Sequence, residues 1–130
     1  MIEKSLVLIK PDAVERNLIG EIISIYEKNN LKVIQMNMEH ISEEKAAKHY
    51  AEHEGKPYFN DLINYLSRSP LVAIIFEGEN AIEKVRDLNG PAKNPDPSTI
   101  RGKFAVSLTE DAVHGSDSAK NAKREISLWF

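Results

Sequence analysis

Four short apolar segments, separated by helical periodicities, constrain the fold of this 130-residue chain more than any other feature. Residues 5–10 and 71–76 are rich in β-branched and leucine side chains, and residues 31–39 alternate apolar with polar side chains. Residues 104–108 form the fourth run. Runs this short, bounded by proline or turn residues, favour strands over helices. We therefore predict a sheet of about four strands.

Helical periodicity lies between these runs. Apolar residues recur at i, i+3, i+4 and i+7 from Ile19 to Tyr26, which predicts a helix that ends near Asn29. Asn80 with Glu83 resembles a capping box, which predicts a helix that runs through Val85 and Leu88. Further helices are predicted over residues 42–53, 57–67 and 118–126. The order β-α-β-(αα)-β-α-β is that of a split βαβ, ferredoxin-like α/β sandwich, in which helices cover one face of a four-stranded antiparallel sheet.

The composition indicates one domain spanning residues 1–130, with no repeat, low-complexity tract or linker. The absence of cysteine excludes disulfides, thiolate metal sites and cysteine nucleophiles. Seventeen basic against twenty acidic residues give a net charge of -3, which argues against a surface built to grip nucleic acid. The apolar run at residues 6–9 is too short for a signal peptide or a membrane span. We expect a cytoplasmic protein that begins at Met1.

The sequence HGSDS at residues 114–118 places the imidazole of His114 next to a glycine, whose backbone has no side chain. Gly115 lacks a Cβ that would block a phosphate from the ring, and Ser116 and Ser118 are preferred N-cap residues for the helix that follows. Helix N-termini favour anions. His114 is therefore a candidate nucleophile, although a lone histidine in a loop is more often a polar turn residue.

Three cationic side chains are candidates for binding phosphate with His114. Lys10 ends the first predicted strand directly before Pro11, and Arg86 and Arg101 carry guanidinium groups that suit phosphate oxygens. Considered alone, Lys10 could equally be a solvated strand end, and each arginine is more often only solvated. Together with His114 they predict a phosphate site.

Two further patterns leave alternatives open. His49 and His53 are spaced at i, i+4, as in a metal pair, but no third ligand stands nearby in the sequence, so we do not predict a zinc site. Tyr58 and Phe59 are adjacent on a predicted first helical turn, so one of them must face outward, where it could stack on a base.

At this point the chain resembles the nucleoside diphosphate kinase family over nearly all of its length. Seven motifs in order carry the resemblance: LIKPDA at 8–13, GEII at 20–23, HYAEH at 49–53, PYF at 57–59, TIRG at 99–102, HGSDS at 114–118 and EISLWF at 125–130. The resemblance implies a ping-pong enzyme. The γ-phosphate of ATP passes to His114 and then to the terminal phosphate of another nucleoside diphosphate.

The resemblance also implies roles for other residues. Glu125, held near Ser116, would orient the imidazole through its far nitrogen. The side chains implied to stabilise charge on the transferring group are Lys10, Tyr50, Arg86 and Arg101. His53 would touch the α-phosphate, and the base would lie between Tyr58, Leu62 and Leu108. Mg²⁺ would arrive on the nucleotide phosphates, with no metal site in the protein itself.

Three departures from the family pattern stand out. Asp111 replaces the usual asparagine that contacts the ribose 3′-hydroxyl; it can accept the same hydrogen bond but adds negative charge near the phosphates. In the loop at residues 90–98, which is about two residues shorter than usual, Ala92 or Lys93 stands where the family supplies a threonine hydroxyl. Tyr58 replaces the commoner phenylalanine and preserves stacking.

The resemblance implies a homo-oligomer built from dimers, either a tetramer or a hexamer. The short loop at residues 90–98, and a chain that stops at Phe130 without the tail of many hexameric members, favour the tetramer. Two other functions compete with the enzyme: a regulatory module on the same fold that binds ATP without being phosphorylated, and a single-strand RNA binder. The RNA binder is the weaker of the two because the predicted strands lack interleaved exposed aromatics and a basic surface.

Overall fold

A computed structural model describes residues 1–130 and contains one four-stranded antiparallel sheet in the order β2-β3-β1-β4. The strands are β1 (Ile2–Ile9), β2 (Lys32–Glu39), β3 (Leu71–Glu79) and β4 (Val113–Gly115). The α-helices are α1 (Pro11–Glu15), α2 (Ile19–Lys28), α3 (Glu43–His49), α4 (Phe59–Leu66), α5 (Ala81–Asn89), α6 (Ile100–Phe104) and α7 (Ala119–Trp129). This is the predicted ferredoxin-like arrangement.

Helices cover both faces of the sheet, not one as predicted. Val7 and Ile9 of β1 pack into a core with α2 and α5, whereas Leu6 and Leu8 pack into a second core with α3, α4 and α7. Because successive side chains of a strand point to opposite faces, a central strand buried on both faces reads as a continuous apolar run. The apolar residues 6–9 carry that signature.

The predicted strand at residues 104–108 is wrong. The segment before it is the short helix α6, which begins where the Thr99 hydroxyl accepts a hydrogen bond from the Gly102 amide at 3.0 Å. Val106 and Leu108 then lie exposed in a loop closed by the Glu110 carbonyl. The fourth strand is β4, whose three residues pair with β1, His114 opposite Leu8.

The other predicted elements are confirmed with altered ends. The helix expected over residues 42–53 ends at His49 and is followed by a 3₁₀ turn, Ala51–His53. The capping box is wrong, because Asn80 adopts a left-handed conformation and its side chain makes no capping hydrogen bond. The Glu3 carboxylate accepts a hydrogen bond from the Ile82 amide at 3.3 Å. None of the helices has the length and apolar character needed to cross a membrane.

Candidate active site

His114 lies on β4, the edge strand next to β1, with its imidazole about one-fifth exposed. Nε2 is buried and lies 3.1 Å from Oε2 of Glu125, out of line for a hydrogen bond. Nδ1 has no hydrogen-bond partner and is the accessible ring nitrogen. A carboxylate beside Nε2 favours the tautomer with its proton on that atom, which leaves the Nδ1 lone pair available.

The Glu125 carboxylate is held in place by Ser116. The Ser116 hydroxyl donates to Oε1 of Glu125 at 2.7 Å and accepts from the Leu6 amide at 3.1 Å. Glu125 projects from α7, which begins where the Ser118 hydroxyl accepts from the Asn121 amide. Ser118 is therefore the N-cap, and Ser116 instead links β1 to the carboxylate. The predicted pairing of Glu125 with Ser116 and His114 is present in the structure.

His49 is a buried neighbour of His114 that the sequence analysis did not assign to the site. The two rings meet edge to face, with centroids 4.7 Å apart, and the Trp129 indole donates to Nδ1 of His49 at 3.2 Å. Burial is the main cause that holds the pKa of His49 well below 6.5, and its proximity to His114 and Lys10 lowers that pKa further. His49 is therefore neutral at pH 7. The HYAEH motif drew attention to this residue, but as half of a metal pair.

Lys10 and Arg101 converge on Asp111. The Lys10 ammonium donates to Oδ1 at 2.8 Å, and Nε of Arg101 lies 3.3 Å from Oδ2. Burial lowers the pKa of Lys10, but Tyr50 and Asp111 raise it more, so that the pKa lies above its usual 10.5. Arg101 also donates to the carbonyls of Gly90 and Val113, at 2.7 and 2.8 Å. Asp111, on the segment that leads into β4 and His114, thus holds two cations that come from other parts of the chain.

Tyr50 is buried, and its hydroxyl has no hydrogen-bond partner. Its ring packs edge to face against His49, with centroids 4.8 Å apart. A buried hydroxyl without a partner is costly unless a ligand satisfies it. This makes the Tyr50 hydroxyl a ready donor to an oxygen bound beside the two histidines.

Arg86 lies on α5 and lines a cleft of about 790 Å³ with Arg101 and Gly115. Its guanidinium donates to the Asp117 carbonyl at 3.4 Å. The cleft meets the strand of His114 at Gly115, although His114 itself is not part of its wall. A side chain at Gly115 would meet Cγ1 of Val85 at 2.6 Å. The glycine is therefore required by the packing of α5 on β4, a reason the sequence analysis did not give.

The residues predicted to bind the base lie on two segments. Tyr58 directly precedes α4 and is 44% exposed, while Phe59 packs against the core, so Tyr58 is the outward-facing aromatic. Nδ1 of His53 lies 3.1 Å from the Tyr58 hydroxyl. Leu108 is 59% exposed in the loop after α6, and Leu62 is half-buried on α4.

The histidine pair spaced at i, i+4 does not form a metal cluster with a third ligand. His49 instead groups with His114 and Glu125, with one donor atom from each lying within 4.8 Å of the others. Two imidazoles and one carboxylate do not suit Mg²⁺, which prefers oxygen ligands.

Comparison with known proteins gives consistent matches. The family model described as nucleoside diphosphate kinase matches residues 3–130. A nucleoside diphosphate kinase of Clostridium perfringens is 59% identical over 132 aligned residues, covering 99% of this chain and 92% of the relative. One from Mycobacterium tuberculosis is 51% identical, covering 100% and 98%. A crystal structure of the Aquifex aeolicus nucleoside diphosphate kinase superimposes with a TM-score of 0.96 at 32% identity, covering 100% of this chain and 96% of the other.

Proposed function

This chain belongs to the nucleoside diphosphate kinase family, and we propose that His114 carries the phosphoryl group between its substrates. The enzyme transfers the γ-phosphate of ATP to nucleoside diphosphates. In the first half-reaction Nδ1 of His114 forms a bond to the γ-phosphorus, and the bond from that phosphorus to the β,γ-bridging oxygen breaks and releases ADP. In the second, a terminal oxygen of another diphosphate takes the phosphoryl group and restores the imidazole.

One observation carries this proposal: His114 has one accessible ring nitrogen, while the other faces a buried, fixed carboxylate. Glu125 stabilises the proton on Nε2 as the ring gains positive character. A neutral imidazole is a competent nucleophile near pH 7. Phosphoryl transfer requires positioning and charge stabilisation more than proton transfer, and a ring held in this way meets the first requirement.

The side chains around His114 provide the second requirement, which is charge stabilisation. We propose that Lys10, Arg101 and the free hydroxyl of Tyr50 stabilise charge on the transferring group, with Arg86 contributing from the cleft. The burial of Lys10 and Tyr50 and the half-buried position of Arg101 support this, because charged and polar groups act more strongly where water is excluded. Mg²⁺, bound to the nucleotide phosphates, would add its charge to that stabilisation.

The nucleotide is proposed to bind with its base between Tyr58, Leu62 and Leu108 and its α-phosphate at His53. Stacking accepts any base because every base has a π-face. Asp111 is the proposed acceptor for the ribose 3′-hydroxyl. We therefore expect transfer to purine and pyrimidine diphosphates at comparable rates.

The test is incubation with γ-labelled ATP without an acceptor, followed by acid or alkali treatment of the labelled chain. We expect an acid-labile, alkali-stable label that is lost in His114→Ala and kept in His40→Ala, a matched change at a histidine bonded to the Ser67 carbonyl. His114→Ala should still bind nucleotide. Phosphate exchange retained by His114→Ala would refute the role of His114. Nucleotide binding by the wild type without labelling would favour the regulatory module, which the family matches do not favour.

We also propose a cytoplasmic homo-oligomer built from dimers. Strand β2 supports a pairwise contact because it is an edge strand whose outer side is unpaired. Ile34, Met36 and Met38 on this strand are 41%, 54% and 53% exposed. An exposed apolar edge strand is a template for pairing with another chain.

A further inference from the structure

We infer that Asp12 is a positioning residue for the transfer reaction, acting through a strained turn at Ala112. This inference rests on the proposed function of His114. Asp12 lies on α1, 2% exposed, and its side chain points to the segment that leads into β4. Nothing in the reaction as described above uses this carboxylate.

The turn is centred on Ala112, whose φ of +73° is in the left-handed region. The Val113 amide donates to the Asp111 carbonyl at 2.9 Å, which closes a three-residue turn around Ala112. Three-residue turns with positive φ at the centre are rare and strained. Alanine, unlike glycine, has a Cβ that disfavours this conformation.

Both polar groups of the Ala112 backbone form hydrogen bonds with residues 10 and 12 of the chain. Its carbonyl accepts from the Lys10 amide at 2.8 Å, and its amide donates to Oδ2 of Asp12 at 3.1 Å. The other carboxylate oxygen, Oδ1, accepts the hydrogen bond of the buried Tyr65 hydroxyl. Burial and the hydrogen bond to Asp12 raise the pKa of Tyr65, so the phenol keeps its proton and remains a donor.

The turn lies between two parts of the active site. Asp111 on its first side holds Lys10 and Arg101, and Val113 on its other side leads directly to His114. If the turn relaxed, the two cations and the nucleophile would shift relative to each other. Misplacement of reacting groups by about 1 Å can cost about a hundredfold in rate. Asp12 thus keeps the strained turn in the geometry that aligns them.

The experiment compares Tyr65→Phe, which keeps the Asp12–Ala112 bond, with Asp12→Ala/Tyr65→Phe, which loses it without leaving the phenol unpaired. We expect kcat to fall about tenfold to a hundredfold in the double variant, with KM for the diphosphate within about threefold and only a small change in Tyr65→Phe. Adding Ala112→Gly should restore most of kcat, because glycine adopts the positive φ without an anchor. Asp12→Asn should retain more of kcat than the double variant, because its amide oxygen can accept from the Ala112 amide while its amide group donates to the Tyr65 hydroxyl.

The matched control for rescue is Asn30→Gly, since Asn30 also has a positive φ, +65°, but is remote from the turn. Both glycine substitutions are made in the Asp12→Ala/Tyr65→Phe variant, and kcat of the folded enzyme is compared. If Asp12 contributes only to overall stability, Ala112→Gly and Asn30→Gly will have the same effect on kcat, either both raising it or both leaving it unchanged. That result would overturn the inference, as would an unchanged kcat in the Asp12→Ala/Tyr65→Phe double variant. Failure of the proposed function would be distinct, because the wild type would then form no phosphohistidine.

Discussion

At the scale of single residues, the main departure from the family pattern is a carboxylate in place of an amide at Asp111. Its two oxygens neutralise part of the positive charge that Lys10 and Arg101 would present to phosphates. Asp111→Asn keeps the size of the side chain and an acceptor oxygen but removes that charge. We expect KM for the diphosphate to fall by about threefold to tenfold, equivalent to about 1 kcal/mol, while the free energy of unfolding also falls because a buried ion pair is broken.

Initial-rate kinetics and chemical denaturation measure the two effects. Asp87→Asn is the matched control, since Asp87 lines the cleft on α5 without holding either cation. An Asp111→Asn enzyme with unchanged or raised KM would show that the carboxylate does not compete with phosphate for these cations.

His49 predicts a pH dependence of stability. Because its pKa in the folded protein lies well below 6.5, the unfolded chain binds a proton below about pH 6.5 that the folded chain excludes. This difference costs almost nothing at pH 7 and destabilises the folded protein increasingly as the pH falls below 6.5. Denaturation of the wild type and of His49→Gln at pH 7 and pH 5 should show a smaller loss in the variant. Equal losses in the two proteins would mean that the buried ring accepts its proton without cost.

At the scale of elements, the sequence predicts the helices and strands whose apolar residues recur with a regular spacing. Strands β1, β2 and β3 follow from apolar runs or alternation, and α2 follows from its i, i+3, i+4 spacing. Strand β4 has only three residues and is defined by its pairing with β1, so no local sequence pattern predicts it. Residue type alone makes His114, Lys10 and Arg101 candidates, whereas the contacts of Asp12 and Asp111 span about a hundred residues and follow from no local pattern.

The contact between α5 and β4 yields a prediction at this scale. In Gly115→Ala the new Cβ would meet Cγ1 of Val85 at 2.6 Å and Nδ2 of Asn89 at 2.9 Å, so one element must shift. We expect a loss of about 1–3 kcal/mol of unfolding free energy, typical of overpacking. The matched control is Gly20→Ala in α2, where nothing lies within 4 Å of the added Cβ and stability should rise by up to about 1 kcal/mol.

A double-mutant cycle identifies the clash. In a Val85→Ala background, Gly115→Ala should cost much less than in the wild type, because the methyl group that it would meet is absent. Denaturation curves of the four proteins provide the coupling energy. Purely additive losses would place the cost of the alanine outside its contact with Val85, in the contact with Asn89 or in the strand backbone.

At the scale of the whole molecule, the prediction concerns assembly. The loop at residues 90–98 corresponds to the segment that the family resemblance places around the threefold axis of hexamers, and it is short here. Its own hydrogen bonds are local, since Asp96 bonds to Ser98 and to the Thr99 hydroxyl. The unpaired edge of β2 lies on another element and does not depend on this loop.

We therefore expect a tetramer built from dimers, or a hexamer that separates into dimers on dilution or in mild urea. Fewer contacts around the threefold axis lower the association constant of the hexamer, while the dimer contacts remain. Light scattering over a concentration series tests this, with Met36→Lys on β2 as the variant expected to weaken the dimer itself. A hexamer that persists at nanomolar concentration and in moderate urea would contradict the idea that the short loop weakens the assembly.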